Sequence, residues 1–245
     1  ILIMINFFIL KTISRAYLAL IILLGAILYK DLTLLIVLQN TILFLIISTL
    51  IFYIFNHFKE NKFTYASEVT YLRVIISIIL LSISINAFSD QDILKNFYHN
   101  SYFSLIAFLA LCLDGVDGYI ARRFNEQNSF GEIFDQDADT LLILILSISL
   151  YLNKDVSIIV FLIPTYRYLF LISMNKYKWM KYDLPESYYR KISCALSTFL
   201  LIICHSQYIK DISLSYLVLI SLFVITFSFA KDILWLYKRE KHENI

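Results

Sequence analysis

Residues 101–152 read SYFSLIAFLALCLDGVDGYIARRFNEQNSFGEIFDQDADTLLILILSISLYL: an apolar run, a polar stretch rich in aspartate, and a second apolar run. Apolar runs of about 15 to 23 residues are long enough to cross the hydrocarbon core of a bilayer as helices. In lipid each segment must satisfy its own backbone hydrogen bonds, which favours helices over irregular structure. The stretch therefore predicts two membrane helices, at 101–122 and 136–152, joined by a polar turn.

Similar apolar runs occur along the rest of the chain. Of its 245 residues 60% are hydrophobic, the mean hydropathy is +0.73, and there are only 4 Gly and 2 Pro, which sets the chain apart from soluble proteins. We predict an all-α integral membrane protein of about eight transmembrane helices. The other six spans are predicted at 14–29, 33–55, 70–88, 155–174, 190–206 and 212–234.

Lysine and arginine are distributed unevenly between the predicted loops. Of the 21 such residues, sixteen, Arg73 among them, fall in one set of connections and four in the other, while Arg167 lies inside a span. Cytoplasmic loops carry the excess of positive charge. We therefore predict an inner (cytoplasmic) membrane protein with both termini and the loop at 123–135 in the cytoplasm. Such a face suits anionic headgroups and phosphate substrates, and no soluble basic surface is predicted that would bind nucleic acid.

No internal repeat or Gly/Pro-rich linker divides the chain. The one shift in composition is the polar stretch NHFKENKFTYASEV at 56–69. We predict two units: residues 1–69, with two N-terminal helices and a cytoplasmic connection, and residues 70–245, a six-helix core. The first apolar run does not resemble a signal peptide, because Lys11 and Arg15 follow it and no small-residue cleavage site precedes another span.

Cysteine and histidine residues give no sign of a zinc site or a disulfide. The three cysteines lie in apolar stretches without paired spacing, so we predict that they serve ordinary packing and form neither a disulfide nor a metal site. The four histidines are scattered, and none is close in sequence to the aspartate-rich stretch. We predict that they lie at the surface or the membrane interface.

Five aspartates lie in the polar stretch: Asp114, Asp117, Asp135, Asp137 and Asp139. Charged side chains at membrane helices are costly and are usually paired, metal-bound or functional. On helices, Asp114 and Asp117 share one face and Asp135 and Asp139 share another, whereas Asp137 points elsewhere. Two helices joined by a turn would therefore present four carboxylates across one gap.

Four carboxylates in one gap predict a site for a divalent cation. Hard oxygen ligands suit Mg²⁺, Mn²⁺ or Ca²⁺. Gly118 and Gly131 lie on the same two faces and leave room for a ligand to approach the backbone. Arg122, one turn after Gly118, can contact a phosphate oxygen. A merely solvated cytoplasmic loop would require neither the helical phasing nor the small residues.

The polar stretch resembles the signature of the CDP-alcohol phosphotransferases, D-x2-D-G-x2-A-R-x8-G-x3-D-x3-D. Every fixed position is filled, by Asp114, Asp117, Gly118, Ala121, Arg122, Gly131, Asp135 and Asp139. At ordinary residue frequencies a chance match is on the order of one in a billion per starting position. A six-helix core that begins near Thr70, with the motif on its second and third helices, fits this family.

The resemblance implies that a CDP-linked lipid, commonly CDP-diacylglycerol, donates its phosphatidyl group to an alcohol in phospholipid biosynthesis, with CMP leaving. It implies two ions of Mg²⁺ or Mn²⁺ on the four motif aspartates, with Asp139 also acting as the base. It further implies a homodimer in the membrane. The implied nucleotide site comprises Asp114, Asp117, Gly118, Ala121, Arg122 and Gly131. Thr70 and Arg73 resemble the T-x-x-R that opens the family core and are expected to border this site.

The acceptor alcohol is less constrained by the sequence. Arg190 and Lys191, in YYRKISCALS, partly resemble a stretch of the phosphatidylglycerophosphate synthases, which makes glycerol 3-phosphate a candidate acceptor. Arg167 lies inside a predicted span, so it either binds an acceptor phosphate or pairs with a helix carboxylate.

Two other functions use intramembrane aspartates. Membrane prenyltransferases also bind metal diphosphates, but they usually carry their two aspartate motifs on distant helices. A divalent-cation transporter would need acidic residues in several spans, and the other predicted spans contain almost none. We therefore rank them second and third.

Overall fold

The computed structural model describes residues 2–29, 32–58, 63–89, 98, 101–154, 156–182, 188–209 and 211–243. Within these ranges the chain is all-helical, as predicted. Its eight α-helices are α1 (Leu2–Ile27), α2 (Leu34–Phe58), α3 (Tyr65–Phe88), α4 (Tyr102–Arg123), α5 (Ser129–Asn153), α6 (Leu162–Lys176), α7 (Tyr188–Cys204) and α8 (Asp211–Glu243). Short 3-10 helices at Ile158–Phe161 and Lys178–Lys181 flank α6.

Several helices are long and apolar enough to cross a membrane. Five such segments occur in the described residues: Leu34–Asn56, Tyr65–Phe88, Tyr102–Arg123, Ile158–Lys176 and Ser213–Glu240. They correspond to α2, α3, α4, α6 and α8, and they are consistent with an integral membrane protein. That α1, α5 and α7 also cross stays a prediction.

Helix α3 lies at the centre of the bundle, and most of its side chains are buried. It packs most extensively against α4 and α5, and it also contacts α1 and α2. By contrast, α4 and α5 touch each other at few positions. The spacing between the two motif helices is therefore set largely by α3, which lies between them.

Polar side chains attach the N-terminal hairpin of α1 and α2 to α3. The Asn40 amide donates to the Ser82 hydroxyl at 2.8 Å, and the Ser48 and Tyr71 hydroxyls lie 2.6 Å apart. All four side chains are buried. Hydrogen bonds between membrane helices contribute about 0.6 kcal/mol each, so together they fix α2 against one side of α3.

Helix ends differ from the sequence prediction for local reasons. α3 begins at Tyr65 instead of 70, because the Thr64 hydroxyl oxygen caps it by accepting from the backbone N–H of Ser67 at 3.1 Å. α6 begins at Leu162 instead of 155, with Pro164 in its first turn, where a missing N–H costs least. α8 continues past 234 to Glu243, because its last turns are rich in Lys, Glu and Leu.

One histidine contradicts the prediction that all four lie at the surface or the membrane interface. His205 is completely buried at the end of α7. Its Nδ1 lies 2.8 Å from the Leu201 carbonyl oxygen, and its ring stacks on Phe103 with centroids 4.7 Å apart. The prediction was wrong because aromatic stacking and a helix carbonyl compensate part of the cost of burying the imidazole.

Candidate active site

A single arginine lies among the four motif aspartates. Arg73, on α3, has a side chain only 2% exposed. Its guanidinium nitrogens lie 3.1 Å from Asp114, 2.9 Å from Asp117 and 2.6 Å from Asp135, and they also contact Asp139. One guanidinium can balance only one of the four carboxylates, so the cluster keeps an excess of negative charge.

From the sequence, Arg73 is expected to border the nucleotide site and counts among the cytoplasmic loop charges. In the structure it lies inside α3 and joins the two motif helices. The charge asymmetry between the loops therefore rests on the remaining lysines and arginines.

Asp117 is the buried anchor of the cluster. Its side chain is 4% exposed, and Oδ2 accepts from the Thr70 hydroxyl and from Arg73, both at 2.9 Å. Its Oδ1 accepts from the backbone N–H of Gly118 at 2.7 Å. Both oxygens are thus held by the protein itself, and Thr70 and Arg73 reach the same carboxylate from α3.

The other three aspartates are more open. The side chains of Asp114, Asp135 and Asp139 are 32%, 40% and 26% exposed. Each can offer one carboxylate oxygen, and these three oxygens lie within 4.8 Å of one another. Half-exposed carboxylates at this spacing are the donor set that a hard divalent cation prefers, so the residues fit such an ion.

The two motif glycines lie against polar side chains. A Cβ at Gly118 would lie 3.4 Å from Nη1 of Arg122, whose side chain returns over its own helix. A Cβ at Gly131 would lie 2.8 Å from the Asn128 side-chain oxygen, which caps α5 by accepting from the Gly131 N–H at 2.6 Å. The cap of α5 thus favours a glycine at position 131, independently of the predicted nucleotide contact. The nucleotide roles of Gly118, Ala121, Arg122 and Gly131 stay predictions.

Arg167, on α6, pairs with α5. It donates to Gln136 Oε1 and to Asp137 Oδ1, both at 2.7 Å. Asp137 is two residues from Asp135, which on an α-helix is a rotation of about 200°. Arg167 therefore contacts a different face of α5 from the one that Arg73 contacts. Of the two alternatives raised by the sequence, this geometry favours pairing with a helix carboxylate.

The remaining acceptor candidates lie at the start of α7. Arg190 is 3.7 Å from Asp232 of α8, a long ion pair with a half-exposed arginine. Lys191 is exposed. A role in acceptor binding stays a prediction for both residues.

Asp137→Asn provides a test of the helical phasing. We expect the CMP release that the family resemblance implies to fall by less than about threefold, because Asp137 does not face the cation group. The free energy of unfolding should fall by about 1 kcal/mol through the weakened pair with Arg167. Initial rates and thermal unfolding in detergent would measure both effects. A loss of rate of more than about tenfold would contradict the phasing.

Comparison with known proteins gives a family match and partial matches to curated relatives. The family model for CDP-alcohol phosphatidyltransferase matches residues 63–229, more than half of the chain. A probable CDP-diacylglycerol–inositol 3-phosphatidyltransferase 2 of Arabidopsis thaliana is 35% identical over 71 residues, 29% of this chain and 26% of the relative. CDP-diacylglycerol–inositol 3-phosphatidyltransferase 1 of the same plant is 29% identical over 82 residues, 33% of this chain and 31% of the relative. The matched segments thus span less than a third of either relative. No solved structure gives a significant match.

Proposed function

We propose that this chain, which belongs to the CDP-alcohol phosphatidyltransferase family, transfers the phosphatidyl group of CDP-diacylglycerol to inositol and releases CMP. One observation carries the proposal for this chain itself: four aspartates of α4 and α5 converge on one arginine and leave an excess of negative charge. Because the chain belongs to this family, phosphatidyl transfer is preferred to the prenyltransferase and cation-transporter alternatives.

The motif residues would divide the chemistry between them. Asp114, Asp135 and Asp139 would hold the cation, while Asp117 would fix α4 against α3 through Thr70. A bound Mg²⁺ or Mn²⁺ would neutralise charge on the attacked phosphate and on the departing CMP. The exposed Arg122 can contact a phosphate oxygen of the nucleotide, beside Gly118.

Asp139 is proposed as the general base. The acceptor hydroxyl oxygen attacks the phosphorus that carries the diacylglycerol, its proton passes to the Asp139 carboxylate, and the bond from that phosphorus to the CMP oxygen breaks. A base near a cation is suited to this role when it lies within hydrogen-bond reach of the hydroxyl. The Asp139 side chain is 26% exposed, so its carboxylate is partly accessible to an acceptor hydroxyl.

An uncharged acceptor fits the site better than a phosphorylated one. Both terminal nitrogens of Arg167 are taken by Asp137 and Gln136, and Arg190 lies against Asp232. An acceptor phosphate would have to compete with Asp137 and Gln136 for the Arg167 guanidinium and with Asp232 for that of Arg190. The curated names of the two plant relatives specify inositol as the acceptor.

Acceptor identity can be tested with the purified protein, labelled CDP-diacylglycerol and Mn²⁺. We expect CMP release with inositol, and a kcat/KM at least about tenfold lower with glycerol 3-phosphate, a difference of about 1.4 kcal/mol. Phosphatidylinositol should appear in step with CMP. Preference for glycerol 3-phosphate would contradict the acceptor, and no CMP release with any alcohol would contradict the proposed function.

We also propose how the protein is oriented in the membrane and how it assembles. The positive loops favour an active site that faces the cytoplasm, with both termini on that side. We further propose that residues 1–69 are an addition to the six-helix core at 70–245, and that the protein forms a homodimer.

A further inference from the structure

The loop between the motif helices ends one helix and begins another. At the end of α4, Asn125 adopts the left-handed conformation with φ 51°, and the Glu126 N–H donates to the Ala121 carbonyl oxygen at 3.0 Å. This is the hydrogen bond of a Schellman C-cap. Three residues beyond Asn125, the side chain of Asn128 caps α5. The short segment 124–128 therefore fixes the ends of both motif helices.

The same loop also caps α3. Glu126 Oε2 accepts from the backbone N–H groups of Tyr65 at 2.9 Å and Ala66 at 3.5 Å. These are two of the orphan donors at the start of α3, and the Thr64 hydroxyl takes the next, from Ser67. A carboxylate is further favoured there by the helix dipole. Glu126 thus links the motif loop to the first turn of the helix that carries Arg73.

This link matters because α4 and α5 touch each other at few positions and are bridged by α3. The offset of α3 along its axis decides where the Arg73 guanidinium lies among the four aspartates. Phe124 supports the same contact, with its ring 6.5 Å from that of Tyr65. A shift of α3 relative to the loop would move Arg73 and Thr70 together.

We propose that Glu126 is a positioning residue: by capping α3 from the motif loop, it holds α3 in register between α4 and α5, so that Asp114, Asp135 and Asp139 keep the spacing at which they bind a divalent cation. The inference rests on the proposed function for the cation itself. Glu126 touches no reacting group, and it falls within the eight unspecified positions of the motif.

Three variants and a matched control test this role in the full-length protein. Glu126→Ala removes the cap, Glu126→Gln keeps an acceptor oxygen without the charge, and Glu126→Asp shortens the reach. Glu132→Ala removes an equal charge from the exposed first turn of α5. Mn²⁺ titration followed by electron paramagnetic resonance measures the affinity without turnover. Hydrogen exchange of a peptide covering 63–73 reports on the cap directly.

We expect Glu126→Ala to weaken Mn²⁺ binding about fivefold and to speed exchange at the start of α3, with Glu126→Gln restoring most of the affinity. Glu132→Ala should leave exchange at the start of α3 unchanged. The inference would be overturned, while the proposed function stands, by either of two results. In one, Glu126→Ala speeds exchange at the start of α3 but leaves the Mn²⁺ affinity unchanged. In the other, Glu132→Ala weakens Mn²⁺ binding as much as Glu126→Ala does. Failure of the unmodified protein to bind Mn²⁺ would overturn both.

Discussion

Replacement of both Asp135 and Asp139 by asparagine is expected to abolish CMP release, with a loss of at least about 10³-fold. The two substitutions remove two of the three carboxylates that can share a cation, and with them the proposed base. Asparagine keeps the size of the side chain, so the packing between α3 and α5 should persist. The loss of CMP release would therefore reflect lost cation binding and a lost base, and not a loss of folding.

The measurement is CMP release from labelled CDP-diacylglycerol in the presence of Mn²⁺ and inositol, with size-exclusion chromatography as the check on folding. The double variant should unfold at a temperature no lower than that of the unmodified protein, because Arg73 keeps Asp114 and Asp117 as partners. Glu132→Gln, one turn from Asp135, serves as the matched control and should keep full activity. Metal-dependent CMP release within tenfold of the unmodified protein would refute the assignment of these residues.

The helical hairpin of the motif could be predicted because its information is local. Apolar runs on both sides specify two helices, and a period of 3.6 residues decides that Asp137 points away from the face shared by Asp135 and Asp139. The pairing of Asp137 with Arg167 on α6 agrees with that phasing. Helix ends were less accurate, since single caps such as Thr64 decide them.

The centre of the cluster could not be predicted from local patterns. Arg73 is far from the aspartates in sequence, and only helix packing brings its guanidinium between them. Glu126 was missed for the same reason, because its partners at Tyr65 and Ala66 belong to an earlier helix. The T-x-x-R resemblance was the one sign that α3 contributes to the site, and it placed Thr70 and Arg73 near the motif without revealing their contacts.

The second large effect is expected from Arg73→Gln. Without the guanidinium, four carboxylates face one another, and the buried Asp117 loses its charged partner. Removal of one partner from a buried ion pair costs about 3 to 5 kcal/mol. The lower end applies here, because the other three aspartates are partly exposed and water screens their repulsion. In EDTA the free energy of unfolding should therefore fall by about 3 kcal/mol.

A divalent cation should reverse part of this loss, because it supplies the positive charge that the variant lacks. Mn²⁺ is thus expected to stabilise Arg73→Gln more than it stabilises the unmodified protein, as measured by thermal unfolding in detergent. Arg73→Lys keeps the charge but not the planar fork that contacts four aspartates, so its stability should be intermediate. Arg15→Gln, which breaks the more exposed pair with Glu68 at 2.7 Å, is the control and should cost no more than about 1 kcal/mol. Equal stability of Arg73→Gln and the unmodified protein in EDTA, or equal stabilisation of the two by Mn²⁺, would show that Arg73 does not balance the charge of the cluster.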